Sequence, residues 1–206
     1  MIVIIDYQSA GNPNSIRNML KHIGVDSTIS NIAGDIEKAD KLILPGIGAF
    51  DSGMDNLRDS GLISMLSHKV VEDKIPILGI CLGMQLFTRI SEEGSASGLG
   101  WIEADTIKFN FTEKIVGKYR VPHMGWNSAT LVRNNALYNN LLEPRFYFAH
   151  SYHISGINRE NIVTTTIYGY EFVSSFAKEN IIGVQFHPEK SHKYGMTLLK
   201  NFVECF

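Results

Sequence analysis

The chain has 206 residues, 44% hydrophobic and 19% charged, enough for one sizeable core and consistent with one domain over residues 1–206. Its net charge is −2 and its lysines and arginines are scattered, which argues against a polyanion-binding surface, so nucleic acid is not an expected partner. The charge-free stretch 75–88 is shorter than the roughly 20 residues a membrane helix needs, and the N-terminus has neither a basic region nor a small-residue cleavage site. No membrane partner and a cytoplasmic location are therefore expected.

Residues 1–6 form an apolar run ending in an acid, which suits a buried parallel strand. A helix follows, with Asn14 or Ser15 as its cap and Ile16, Met19, Leu20 and Ile23 on one face, stopping at Gly24. Strands are expected at 26–30 and 41–44, the second closed by Pro45-Gly46-Ile47-Gly48. Asp51 is a natural helix opener, and Met54, Leu57, Leu62, Met65 and Leu66 recur near helical spacing with an interruption near Gly61. Residues 75–80 form another apolar run that gives way to a helix-like one at 84–88. Strands alternating with helices predict an α/β fold, a mostly parallel central sheet with helices on both faces.

After Gly94 the segments shorten and carry Thr, Val, Tyr and Phe: 106–111, 127–132, 145–151, 162–167, 172–177 and 181–186. These read as strands, many antiparallel, and 196–203 as a closing helix. No repeat, low-complexity stretch or linker interrupts them.

The chemistry concentrates at the junction Gly79-Ile80-Cys81-Leu82-Gly83. A strand turning sharply into a helix between two glycines pushes the apex side chain out above the sheet, where unpaired N–H groups favour an anion. Glycines around a cysteine also suit an ordinary sheet core, so the apex needs a partner. His187-Pro188-Glu189 supplies one, because a nucleophilic thiol needs a base and the base needs a carboxylate to orient it. In an extended segment His187 and Glu189 point to the same side. Their distance along the chain is no obstacle, since triads assemble in space. Acyl transfer also needs donors for an oxyanion; the N–H of Leu82 and the glycine-rich turn at Ile47 and Gly48 are the candidates. With Cys81 and Cys205 as its two cysteines, the chain has no disulfide framework, and Cys205 reads as incidental. His150 and His153 lie in a strand-like segment without cysteines nearby, so no metal is expected.

Around these residues lie Met84-Gln85, Pro45-Gly46-Ile47-Gly48-Ala49-Phe50, Lys118 followed by Pro122-His123-Met124-Gly125-Trp126-Asn127, Tyr147-Phe148-Ala149-His150-Ser151-Tyr152 and Gln185-Phe186-His187-Pro188-Glu189-Lys190-Ser191. Together they closely resemble the class I glutamine amidotransferase subunits of imidazole glycerol phosphate synthase, over essentially the whole chain. The resemblance implies a flavodoxin-like three-layer fold with a smaller antiparallel sheet. It also implies a glutaminase that works without a cofactor, with a thioester on Cys81, His187 as base and then acid, and Glu189 orienting the imidazole. By the same resemblance Gln85 and the backbone of His150, Ser151 and Tyr152 hold the amino-acid end of L-glutamine. Ile47 and Gly48, with Leu82, form the oxyanion hole, Gly48 and Leu82 thereby touching substrate. The resemblance further implies that Lys118, His123 and Trp126 face a (β/α)8-barrel cyclase subunit that receives the ammonia in histidine biosynthesis, in a heterodimer. Without the resemblance, Trp126 reads as a core aromatic.

The chain departs from that pattern at Gln8-Ser9-Ala10-Gly11-Asn12-Pro13-Asn14, which has one extra residue and a proline where an aliphatic residue is usual. Pro13 alters the helix entry, on the partner side of the sheet. Residues 100–105 also differ from the usual wording. The departures open an alternative acceptor, an ATP-using sugar amidotransferase synthetase of surface polysaccharide or glycan biosynthesis, with the same catalytic residues. A non-catalytic subunit conflicts with the intact Cys81, His187 and Glu189. A cysteine hydrolase acting on another amide or ester conflicts with Gln85 and the 150–152 segment.

Overall fold

A computed structural model describes residues 1–8, 11–111 and 118–206. Twelve strands run through these residues. In the first half, β1 (Ile2–Ile5), β2 (Ser27–Ser30), β3 (Lys41–Gly46) and β4 (Ile77–Cys81) alternate with α1 (Pro13–His22), α2 (Ala33–Glu37), α3 (Phe50–Asp59) and α4 (Ile63–Ser67). A four-residue helix, α5 (Leu82–Gln85), follows β4 directly. The second half is mostly strand: β5 (Asp105–Lys108), β6 (His123–Ser128), β7 (Thr130–Leu131), β8 (Arg145–His150), β9 (Tyr152–Ser155), β10 (Ile162–Tyr168), β11 (Tyr170–Lys178) and β12 (Ile181–Val184). The chain closes with α6 (His192–Cys205).

The main sheet runs β2-β1-β3-β4-β12-β11-β10-β7. From β2 to β12 every pairing is parallel, and beyond β12 the strands turn antiparallel. Strand β9 joins β11 to β5, and β6 pairs with β8 in a separate antiparallel ribbon. The parallel part has the strand order of the flavodoxin-like doubly wound fold, in which loops at the carboxyl ends of the strands collect the functional groups.

The apolar runs at 2–5, 42–44 and 77–80 are buried on both faces because each strand has a layer packed on either side. Alternate residues diverge accordingly. Val3, Ile5, Leu42 and Leu44 join Phe50, Met54, Leu57 and Leu66 of α3 and α4 in one core. Ile2, Ile4, Ile43 and Leu78 join Ile16 and Leu20 of α1 and Leu198, Leu199 and Phe202 of α6 in the other. This is the three-layer α/β arrangement expected from the alternating pattern, with the smaller antiparallel sheet beside it.

Local details differ from expectation for identifiable reasons. Helix α1 is capped by Asn12, not Asn14 or Ser15: the Asn12 carboxamide oxygen accepts the Ser15 N–H at 3.2 Å, and Pro13 takes the first helical position, where no donor is needed. Residues 9 and 10 of the altered loop, like 112–117, lie outside the described residues. Asp51 does not cap α3 either. It sits in the first turn, and its carboxylate accepts the N–H groups of Ser95 and Ala96, both at 2.9 Å, which hold it below the usual carboxylate range. The segment 127–132 divides into the end of β6 and the separate strand β7, and β9 follows β8 after one intervening residue, Ser151.

Helix α6 approaches the turn 188–190 so closely at Gly195 that a Cβ there would overlap the Pro188 carbonyl. Helix propensity alone favours alanine at that position by about 1 kcal/mol. Overlap with backbone outweighs it, so Gly195→Ala is expected to destabilise the fold by about 1–3 kcal/mol. Urea unfolding checks this, and a gain in stability would contradict the close approach.

Candidate active site

Strand β4 is buried along its whole length and ends at Cys81, whose φ of +53° and ψ of −110° are unusual for any residue but glycine. Such a conformation costs about 1–3 kcal/mol and persists where the surroundings over-determine it. Here they do: side chains at Gly79 and Gly83 would strike Phe87 and the Met84 backbone in one case and the Leu44 carbonyl in the other. The glycines thus permit the bend, and the bend aims Cys81, 5% exposed, into a cavity. The helix behind it has only four residues, so the cysteine meets local N–H groups rather than the dipole of a long helix.

Strand β12 lies parallel beside β4, with Val184 opposite Ile80, so residues 185–187 leave the sheet at the edge where Cys81 sits. The His187 N–H donates to the Tyr147 carbonyl at 2.8 Å, and the Ser191 hydroxyl caps the His187 carbonyl at 2.6 Å. Pro188–Lys190 form one 3-10 turn. His187 and Glu189 therefore meet through a turn, not along an extended segment, with Nδ1 to Oε1 at 2.8 Å. A carboxylate only accepts, so Nδ1 carries the proton and Nε2 remains for another partner. Among the described residues the buried Nε2 makes no hydrogen bond of ordinary geometry, and Cys81 is the group that acts on this side of the ring. Burial, the largest single influence, pulls the His187 pKa down, but the Cys81 thiolate and then Glu189 together raise it to about 10. Cys81 and Glu189 thus hold the proton on His187 in a site where the imidazole is 1% exposed.

The cavity above Cys81 has a volume of about 370 Å³. Ile47, Gly48, Leu82, Gln85, His150, Ser151 and Tyr152 all line it. Every residue anticipated for substrate or oxyanion binding lines it. Gly48 has φ +105° while a Cβ there would meet nothing, so glycine serves conformation at this position, not space. Gln85 is committed to the protein through its nitrogen, which donates to the Tyr152 carbonyl and to Gln185 Oε1, both at 3.1 Å. Five lining residues were not anticipated: Ala49, Glu93, Pro122, Met124 and Ala149. Glu93 brings a carboxylate to the cavity while its Oε2 accepts the Phe50 N–H at 2.8 Å, and no spacing in Ser91-Glu92-Glu93 announces this. Pro122 and Met124 flank His123 in a stretch singled out for another role.

Residues 3–205 match the family described as glutamine amidotransferase class-I. The chain belongs to this family. It is 54% identical over 205 residues to imidazole glycerol phosphate synthase subunit HisH 2 of Methanococcus maripaludis and 46% identical over 205 residues to the subunit of the same name from Pseudomonas aeruginosa, each alignment covering 99% of both chains. It therefore belongs to the HisH group of class-I glutamine amidotransferases. The solved structure of PurLQS from Thermotoga maritima superposes with a TM-score of 0.70 at 17% identity, covering 98% of this chain and 96% of that one, a likeness of fold.

Within this amidotransferase the three anticipated partner-facing residues separate. Trp126 is 41% exposed and stacks flat on His192, with ring centroids 5.6 Å apart. It is not a core aromatic. Lys118 is exposed, its ammonium 5.8 Å from the Tyr119 ring centre. His123 is 2% exposed, its side chain turned into the protein. It stacks on Tyr168 at 4.0 Å and sits in a polar chain: Asn127 Nδ2 lies 3.3 Å from His123 Nε2, His123 Nδ1 lies 3.1 Å from His150 Nε2, and His150 Nδ1 lies 2.7 Å from the Tyr152 carbonyl oxygen. That oxygen only accepts, so the donors run in one direction, from Asn127 to Tyr152, with both imidazoles neutral. Among the described residues no group of three His, Cys, Asp or Glu side chains could hold a metal, and no helix is long and apolar enough to cross a membrane.

Burial lowers the His123 pKa from 6.5 to about 4 and sets His150 well below 6.5. Both bind protons more readily unfolded than folded. Their contribution to stability is complete above pH 6.5 and is lost as pH falls through about 4. Urea unfolding across pH 7 to 4.5 is expected to show stability falling by up to about 1.4 kcal/mol per pH unit for each histidine. His123→Gln should flatten the slope; an unchanged slope in this variant would contradict the neutral chain.

Proposed function

We propose that this chain is the glutamine-hydrolysing subunit of imidazole glycerol phosphate synthase, releasing ammonia from L-glutamine at Cys81 and passing it to a (β/α)8-barrel cyclase subunit in histidine biosynthesis. The observation that carries the chemistry is Cys81 lining a cavity beside a buried His187 whose Nδ1 is held by Glu189 Oε1 at 2.8 Å and whose pKa Cys81 helps to raise. Full-length identity to two subunits that bear the synthase name supports the pathway and ranks it ahead of a sugar amidotransferase acceptor.

In this reading Glu93 takes the α-ammonium of glutamine, while the backbone of His150, Ser151 and Tyr152 holds the α-carboxylate. Gln85 shapes that wall by fixing the Tyr152 carbonyl. The carboxamide carbon then lies over Cys81. His187 already holds a proton, so the sulfur attacks as an anion and a C–S bond forms as the C=O π pair moves to oxygen. The N–H of Leu82 stabilises that oxygen, joined by one from the Ile47–Gly48 segment once it turns inward. As the pair returns, the C–N bond breaks and Nε2 gives its proton to the nitrogen, which leaves as ammonia. Water enters, loses a proton to His187 and attacks the thioester carbon; the C–S bond breaks and glutamate departs. The exposed Met124, Trp126 and Lys118 lie on the surface offered to the cyclase, and binding there shifts the oxyanion segment toward its active state.

Cys81→Ala is expected to abolish ammonia release from glutamine while an ammonium salt still feeds the assembled synthase. Glutamine-dependent synthesis retained in this variant would refute the nucleophile. Substitution of His187 should lower the glutamine reaction on the order of 10²-fold or more, and a loss under about threefold would mean another base operates. For the acceptor, affinity capture from the source cell should recover the barrel cyclase; recovery of an adenylating sugar synthetase instead would overturn the pathway assignment.

A further inference from the structure

Gln185, wholly buried, donates to the Cys81 sulfur through its Nε2 at 3.7 Å, a contact separate from that of His187. Its orientation is dictated from a distance. The Tyr152 carbonyl can only accept, so Gln85 must turn its NH₂ group toward it, at 3.1 Å. The same NH₂ group then presents its second hydrogen to Gln185 Oε1, also at 3.1 Å. With its oxygen so engaged, Gln185 has its own NH₂ group left for the sulfur. The reverse orientation would set two donors face to face and point an oxygen lone pair at a developing anion. The Tyr152 carbonyl is in turn fixed by His150 Nδ1 at 2.7 Å, so the chain that aims Gln185 is anchored at both ends. A hydrogen bond donated to a sulfur anion is stronger than one donated to a thiol, and stronger in a low-dielectric site than in water.

We propose that Gln185 is a positioning residue for the glutamine reaction: through its side-chain N–H it holds the Cys81 sulfur as an anion in the attacking rotamer, and it is itself oriented by Gln85 and the Tyr152 carbonyl. This rests on the reading of Cys81 as the nucleophile. It also ties the wall that receives the amino-acid end of glutamine to the reacting atom, because Tyr152 and Gln85 line the cavity and Gln185 touches the sulfur.

The test is the pH dependence of Cys81 alkylation by iodoacetamide in the full chain, followed by peptide mass spectrometry with the exposed Cys205 as internal reference. In Gln185→Leu the midpoint for Cys81 should rise by about one pH unit, with alkylation near neutrality about tenfold slower, while the Cys205 profile stays in place. Gln85→Met leaves Gln185 intact but removes the donor that orients it, and should move the midpoint in the same direction by less. If Gln185→Leu does not fold, Gln85→Met alone decides. Midpoints within about 0.2 pH units of the parent in a folded variant, far less than one charge-assisted hydrogen bond supplies, would overturn the proposal. Alkylation reads the sulfur without turnover, so that result would leave the glutaminase reading standing, whereas retained activity in Cys81→Ala would remove both.

Discussion

The parallel pairing of β4 with β12 carries the site. These strands are separated by most of the second half of the chain, yet Ile77 to Ile80 lie in register with Ile181 to Val184, and both strands end at the same edge. A shift of one residue would turn the apolar side chains of β12 to opposite faces and take His187 away from Cys81. The register is well specified because both strands are buried on both sides, with Leu78, Ile80, Ile182 and Val184 sharing one core. The nucleophile and its base are thus held together by sheet hydrogen bonds and core packing, the most rigid elements available, while the loops around them are left to shape the cavity.

From that edge outward the site is built of groups that leave each other little choice. The strained Cys81 backbone is kept by glycines that let Phe87, Met84 and the Leu44 carbonyl come close. Glu189 fixes the ring orientation of His187, and the Tyr152 carbonyl fixes two separate runs of donors, one through His150 and His123, the other through Gln85 and Gln185. The buried histidines on the far side remain neutral, whereas His187 is charged. Burial acts on all three in the same direction, so the difference comes from the anions that only His187 has beside it.

Much of this was legible in the residues. Strand and helix alternation to residue 94, the bend at Cys81, the His187–Glu189 pair and the cavity-lining stretches at 47–48 and 150–152 all carry local signals: apolar runs, glycine flanks and residue types demanded by the chemistry. What was not legible depends on distant contacts. Asp51 reads as a cap, yet its carboxylate is taken by the backbone at 95 and 96; Asn12 wins the cap of α1 because Pro13 suits the first helical position. His123 stands in a motif that resembles a partner-facing segment, but β6 alternates, and His123 falls on the buried side while Met124 is exposed. Glu93 and Gln185 enter the site by long-range packing that no spacing announces.

The central claim is that sheet register brings the Cys81 thiolate and the His187 imidazole close enough to share one proton equilibrium. Titration of the His187 ring by NMR in the parent chain and in Cys81→Ser tests this most directly. The account predicts an imidazolium that persists to about pH 10 in the parent and loses its proton at clearly lower pH once the thiolate is removed. A parent His187 that titrates near 6.5, or one indifferent to the loss of Cys81, would contradict it.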